Sequence, residues 1–130
     1  MIMAAWTLKK MFRFEASHQL MKHDGKCARL HGHSWRGEIE VKSHYLTGEG
    51  PKENMVVDFG DLKVVVREIE DLLDHRHLNE VLRTDMPTSE FVARWIFDKV
   101  RPKLSDGHFW LESVGIEETC TSRCVYTEQT

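Results

Sequence analysis

The sequence predicts an α+β fold: an antiparallel four-stranded sheet with two helices on one face, in the order ββααββ. Three patterns predict it. Residues 6–18 and 31–45 alternate apolar and polar with period two, as half-buried strands do. Two later segments carry apolar stripes at helical spacing behind capping residues. After residue 107 the pattern returns to strands. With 130 residues and no repeat, low-complexity tract or long linker, residues 1–130 are expected to form one domain.

The first strand, Trp6 to His18, places Leu8, Phe12, Phe14 and Ala16 on its apolar face, and His18 continues that face. The second, His31 to Tyr45, places Trp35, Ile39, Val41 and Tyr45 inward, with His31 and His33 extending the same face. Residues 47–54, with Gly48, Gly50 and Pro51, read as a loop. Asp58 caps a helix whose stripe is Leu62, Val65, Val66, Ile69, Leu72 and Leu73. Pro87, Thr88 and Ser89 open a second helix carrying Val92, Trp95, Ile96, Phe97 and Val100, which Pro102 either ends or weakens in its last turn. Ser105, Asp106 and Gly107 make a turn into a strand from His108 to Glu118, with Trp110, Val114, Ile116 and Glu118 on one face. A short strand around Val125 and Tyr126 ends the sheet.

Composition excludes several function classes. A net charge of -3 and the lack of a basic stripe argue against nucleic acid as a partner. No apolar run approaches the ~18 residues that span a bilayer, and the apolar stretch at the N-terminus is too short for a signal peptide. Three cysteines, Cys27, Cys120 and Cys124, without a secretion signal read as reduced thiols in the cytoplasm. A subunit this small builds deep pockets most readily between copies of itself, so an oligomer is expected.

His18, His31 and His33 all fall on inward strand faces. Three imidazoles suit zinc and leave a fourth position for water or substrate, the pattern of a catalytic site. The alternative is three ordinary half-buried histidines. Cys27, four residues before His31, sits beside this set. It reads as a thiolate favoured by a neighbouring dication, a fourth ligand that would close the site, or a small buried hydrophobe. Asp74 beside His75 is either an acid–base pair or ordinary helix-end chemistry. His77 is expected to face solvent. Glu118, an acid on an apolar face, accepts either paired N–H donors from a heterocycle or an ion-pair partner, while Glu117 is expected to be solvated. Thr88, Ser89 and Glu90 read first as a helix start, and Cys120 and Cys124 as structural. No glutamate is paired with these histidines in the metalloprotease pattern.

Together the segments Phe14-Glu15-Ala16-Ser17-His18, Cys27-Ala28-Arg29-Leu30-His31-Gly32-His33, Val57-Asp58-Phe59-Gly60-Asp61-Leu62-Lys63, Leu73-Asp74-His75 through Asn79, Pro87-Thr88-Ser89-Glu90 and Glu118-Thr119-Cys120 resemble the family of 6-pyruvoyl- and 6-carboxy-tetrahydropterin synthases. The ordered set covers nearly the whole chain. The resemblance implies the tunnelling fold (T-fold), in which trimeric barrels stack into a homohexamer. It implies zinc on His18, His31 and His33, with Cys27 as the catalytic thiol. It implies Asp74 and His75 as a relay reaching across a subunit interface, Glu118 as the pterin anchor, and Thr88, Ser89 and Glu90 near the pterin pocket. The substrate implied is 7,8-dihydroneopterin triphosphate. The three residues between Cys27 and His31, and the ending from Glu118 to Cys124, resemble the carboxy branch, which serves 7-deazaguanine and queuosine synthesis. The alternatives are a 6-pyruvoyl synthase or a non-catalytic zinc- and pterin-binding module. Arg123 stands where the family commonly has a small residue, and is expected to alter the pocket rim.

Overall fold

The two long alternating segments pair with each other. In the computed structural model, which describes residues 2–105 and 107–129, β1 (Trp6–His18) and β2 (His31–Ser43) run antiparallel from Trp6 opposite Ser43 to His18 opposite His31. One face of the pair buries Phe12, Phe14, Ala16, Trp35, Ile39 and Val41. Phe12 lies opposite Gly37, and its ring fills the space a side chain would need there: a Cβ on Gly37 would come within 2.3 Å of the ring. Tyr45 lies beyond the end of β2 and is exposed, because the chain leaves the sheet at Ser43.

α1 (Phe59–Leu73) begins where Asp58 accepts a hydrogen bond from the Gly60 amide. It buries Leu62, Val65, Val66, Ile69 and Leu73 over β1. Leu72, expected on that stripe, points to solvent. Two elements follow that the sequence did not predict. β3 (Arg76–His77) adds to the edge of β1 in parallel, and α2 (Leu78–Val81) is a single turn. Neither is long enough to show a period. The reversal between α1 and β3 is made by His75 in a left-handed conformation, φ +57°, whose amide donates to the Glu15 carbonyl.

α3 (Ser89–Val100) starts at Thr88, whose hydroxyl accepts from the Phe91 amide, and lies over β4 (Trp110–Thr119) and β5 (Ser122–Thr127). After Val100 the chain tightens into a 3₁₀ turn around Pro102. The expected turn at residues 105–107 includes Asp106, which lies outside the described residues.

The sheet order is β3-β1-β2-β4-β5, so the expected four antiparallel strands gain a fifth, parallel one at the β1 edge. The expected face of Trp110 is also corrected. The pairing steps from Val41–Leu111 to Glu40–Ser113, leaving Glu112 as an extra residue in β4. The bulge reverses the phase, so Leu111 and Phe109 join Val114 and Ile116 in the core while Trp110 faces out. The sheet's other face is polar. There Arg123 lies over Gly115 and ion-pairs with Glu38 at 2.8 Å and Glu117 at 2.6 Å. Glu117, expected to be solvated, is therefore clasped. No helix among the described residues is long and apolar enough to cross a membrane.

Candidate active site and metal centre

The antiparallel register brings the three histidines together. His18 ends β1 opposite His31, which begins β2, and His33 lies opposite Ala16. All three side chains take the core face, so their rings converge, with centroids 4.5–5.1 Å apart. Trp35 packs against His18 and His33 at 5.0 and 5.5 Å and forms the apolar floor.

The hydrogen bonds fix the chemistry of these rings. His18 Nδ1 is 2.9 Å from the Pro87 carbonyl, and His31 Nδ1 is 2.7 Å from the Arg29 carbonyl. A carbonyl only accepts, so each Nδ1 carries the proton and each Nε2 carries a lone pair. The Nε2 atoms of His18 and His33 are buried with no hydrogen-bond partner. Burial lowers the pKa of both rings and so favours the neutral, ligating form, although Glu118 acts in the opposite sense. One ligand atom from each of the three lies within 4.8 Å of the others. Two buried, unpartnered imidazole nitrogens and two rings whose Nδ1 is held by a carbonyl, all converging on one point, are what a metal with three nitrogen ligands requires, so these residues fit one. Among the described residues Cys27 does not join this group, which leaves the three-ligand, open arrangement.

Cys27 reaches the site from a 3₁₀ turn, Lys26–Ala28. The turn is tied down by Gln19, whose amide donates to the Ala28 carbonyl, and by the Leu20 amide donating to the Cys27 carbonyl. Asn79 in turn brackets Gln19 with two hydrogen bonds, one to each of its backbone polar groups. Cys27, His31, His33 and Glu118 line one cleft of about 830 Å³. Glu118 leaves β4 on the core face, accepts from the Ser89 hydroxyl at 2.8 Å and stands 3.8 Å from His33 Nε2. Glu118 and Ser89 thus meet. Thr88 spends its hydroxyl on the helix cap, and exposed Glu90 lies across a neighbouring cleft with Ser89, Arg123 and Cys124. Arg123 reaches that rim, but the Glu38–Glu117 clasp holds its guanidinium; burial opposes its charge, and the two carboxylates outweigh burial and raise its pKa. All three cysteines are free thiols.

Asp74 and His75 do not enter the Cys27 cleft of the same subunit. They sit at the β1 edge, where His75 lines a different cleft with Glu15, Ser34 and His77, and His33 borders both clefts. Asp74 accepts from the Glu15 amide at 2.8 Å and from His75 Nδ1 at 2.9 Å. The Glu15 amide and then His75 hold its carboxyl below the usual range. His75 therefore presents Nε2 outward on a side chain that is 81% exposed. His77, expected to be solvent-exposed, is half-buried and hydrogen-bonded through Nδ1 to Ser17 at 3.0 Å. Lys26 and Arg29 also line the Cys27 cleft. The sequence reading passed over them; the available signal was two cations flanking the thiol within five residues of His31.

A family model described as 6-pyruvoyl tetrahydropterin synthase matches residues 7–129. The chain belongs to the 6-pyruvoyl tetrahydropterin synthase family. A Synechocystis protein named 6-carboxy-5,6,7,8-tetrahydropterin synthase is 46% identical over 122 residues, covering 93% of this chain and 92% of that one. A Haemophilus influenzae protein of the same name is 32% identical over 142 residues, covering 93% and 98%. The solved Caenorhabditis elegans 6-pyruvoyl tetrahydropterin synthase superposes with a TM-score of 0.79 at 30% identity, covering 98% of each chain. Membership in the 6-pyruvoyl tetrahydropterin synthase family makes the chain a lyase-type enzyme with the T-fold.

Proposed function

We propose that the protein is a zinc-dependent lyase converting 7,8-dihydroneopterin triphosphate to 6-carboxy-5,6,7,8-tetrahydropterin, with loss of triphosphate and acetaldehyde, in 7-deazaguanine and queuosine synthesis. The observation that carries this reading is the single cleft shared by His31, His33, Cys27 and Glu118. The 46% identical relative named for the carboxy product supports the choice of branch.

His18, His31 and His33 hold the zinc, which when bound supplies Lewis-acid polarisation of the side-chain hydroxyls and acidifies the adjacent C–H. The chain's own residues do the rest. Glu118 binds the pterin by accepting N–H donors of its guanidine-like edge, and the Ser89 hydroxyl holds that carboxylate in place. Cys27 moves a proton at Sγ on one side of the substrate side chain. His75 does so at Nε2 on the other, with its ring oriented by Asp74. Because His75 faces outward, it serves the cleft of a neighbouring subunit, and the assembly proposed is a homohexamer of two stacked trimers. Three free thiols fit a reducing cytoplasm.

The test is to incubate zinc-loaded protein with 7,8-dihydroneopterin triphosphate and identify the product by mass. A 6-carboxy product with acetaldehyde supports the reading. A 6-pyruvoyl product moves the protein to the other branch, and pterin binding without turnover makes it a binding module.

A further inference from the structure

The proposed substrate has a guanidine-like ring edge at one end and a polyanionic tail at the other, separated by a three-carbon chain. Glu118 suits the first end. Something cationic must meet the second, and the short spacer limits where it can be. If the reacting hydroxyls sit at the histidine centre, the tail begins within a few bonds of it and lies in the same cleft.

That cleft has two cationic side chains, Lys26 and Arg29. They flank Cys27 on the turn whose backbone is pinned by Gln19 and Leu20, and the Arg29 carbonyl itself fixes the ring of His31. Among the described residues, neither side chain has an ion-pair or hydrogen-bond partner within the chain. Two exposed cations without an ion-pair partner, three residues apart on one pinned turn, favour a polyanion even though Asp24 and Glu118 line the same cleft, since arginine pairs with phosphate oxygens through two parallel N–H donors and lysine adds a point charge. Another cleft, with Lys22 and Arg83, holds two carboxylates as the Lys26–Arg29 cleft does, but none of the three histidines proposed to hold zinc lines it.

We propose that Lys26 and Arg29 form the subsite for the substrate's triphosphate tail. This rests on the pterin-lyase reading. It makes the two residues selectors of phosphorylated over unphosphorylated pterin, and places the leaving triphosphate on the thiol's own turn.

The experiment measures binding calorimetrically in a zinc-loaded Cys27→Ala background, so that substrate is not consumed. The ligands are 7,8-dihydroneopterin triphosphate, 7,8-dihydroneopterin and inorganic triphosphate. Lys26→Gln and Arg29→Gln are each expected to weaken binding of the triphosphate ester by about tenfold or more, the scale of a lost charged contact. Affinity for the unphosphorylated pterin should stay within about twofold, the same error scale at which contacts are judged independent. Arg29→Lys should recover part of the loss, and circular dichroism and bound zinc should be unchanged. Equal losses for both pterins, or no loss for either, overturns the subsite while leaving the pterin reading standing. If neither pterin binds but inorganic triphosphate does, and the variants abolish it, the pterin reading fails and a polyphosphate site remains. If none of the three binds, both fall.

Discussion

At the scale of single residues, Cys27, Glu118 and Asp74 make separable demands. Cys27 lies beside the histidines without joining them, so its loss should remove proton transfer and nothing else. Cys27→Ala is expected to lower kcat by about 10²–10⁴-fold while zinc content and pterin affinity hold, which steady-state kinetics and metal analysis would establish. Near-wild-type turnover would remove the thiol from the reaction. Glu118→Gln replaces a charged acceptor by one that also presents donors. It should weaken pterin binding by about 1.5–3 kcal/mol, measured as a dissociation constant, because the carboxylate's hydrogen bonds are charge-assisted. Asp74 supplies the pH signature. Its pKa is depressed below the ordinary 3.8 by the Glu15 amide and by His75. The unfolded state therefore binds a proton first as pH falls. Stability from these hydrogen bonds is fully present above 3.8 and is lost as pH drops through the lower folded value. Acid denaturation followed by circular dichroism should show a shallower loss below that point in Asp74→Asn; an identical curve would show that the carboxylate contributes nothing to the fold.

At the scale of elements, what was legible depended on how long a pattern ran. β1 and β2 run thirteen residues each, long enough for alternation to show both strands and the face of the three histidines, although the second was read two residues too far, to Tyr45. That all three meet follows from the hairpin register, which pairs His18 with His31. The caps at Asp58 and Thr88 were equally readable, since each needs only a short polar side chain before an apolar stripe. β3 has two residues and no period to read. β4 was expected from His108 to Glu118 and runs Trp110–Thr119, and its first half was given the wrong face, because a bulge leaves no mark in an alternation that simply restarts. Gly37 was invisible for another reason: what matters there is the absence of a side chain under Phe12. Gly37→Ala should force that ring off its rotamer and cost about 1–3 kcal/mol in chemical denaturation. A neutral result would mean that Phe12 swings aside without loss.

At the scale of the whole molecule, the fold should outlast removal of the proposed zinc, and the active site should not outlast the proposed assembly. The core holds Phe14, Trp35, Leu62, Leu73, Ile96 and Ile116, and none of these needs an ion to be buried. Chelation is therefore expected to abolish turnover while leaving the helical and strand signal. The division of the site is the sharper matter. Within one subunit Cys27 and His75 open into different clefts, and His75 points its free nitrogen outward from the β1 edge. Sequence could supply both residues but not their partners, since contacts between copies leave no periodicity in a single chain. If a working site takes Cys27 from one subunit and His75 from another, subunits crippled at either residue can rescue each other. Cys27→Ala and His75→Ala proteins, each inactive alone, should regain about a quarter of wild-type turnover when unfolded together and refolded in equal amounts. Random mixing puts both intact residues at one interface in about that fraction of sites. A mixture as inactive as its components would show that both residues serve the same subunit's cleft. In that case His75 must swing inward from its exposed position, and the proposed interface relay fails.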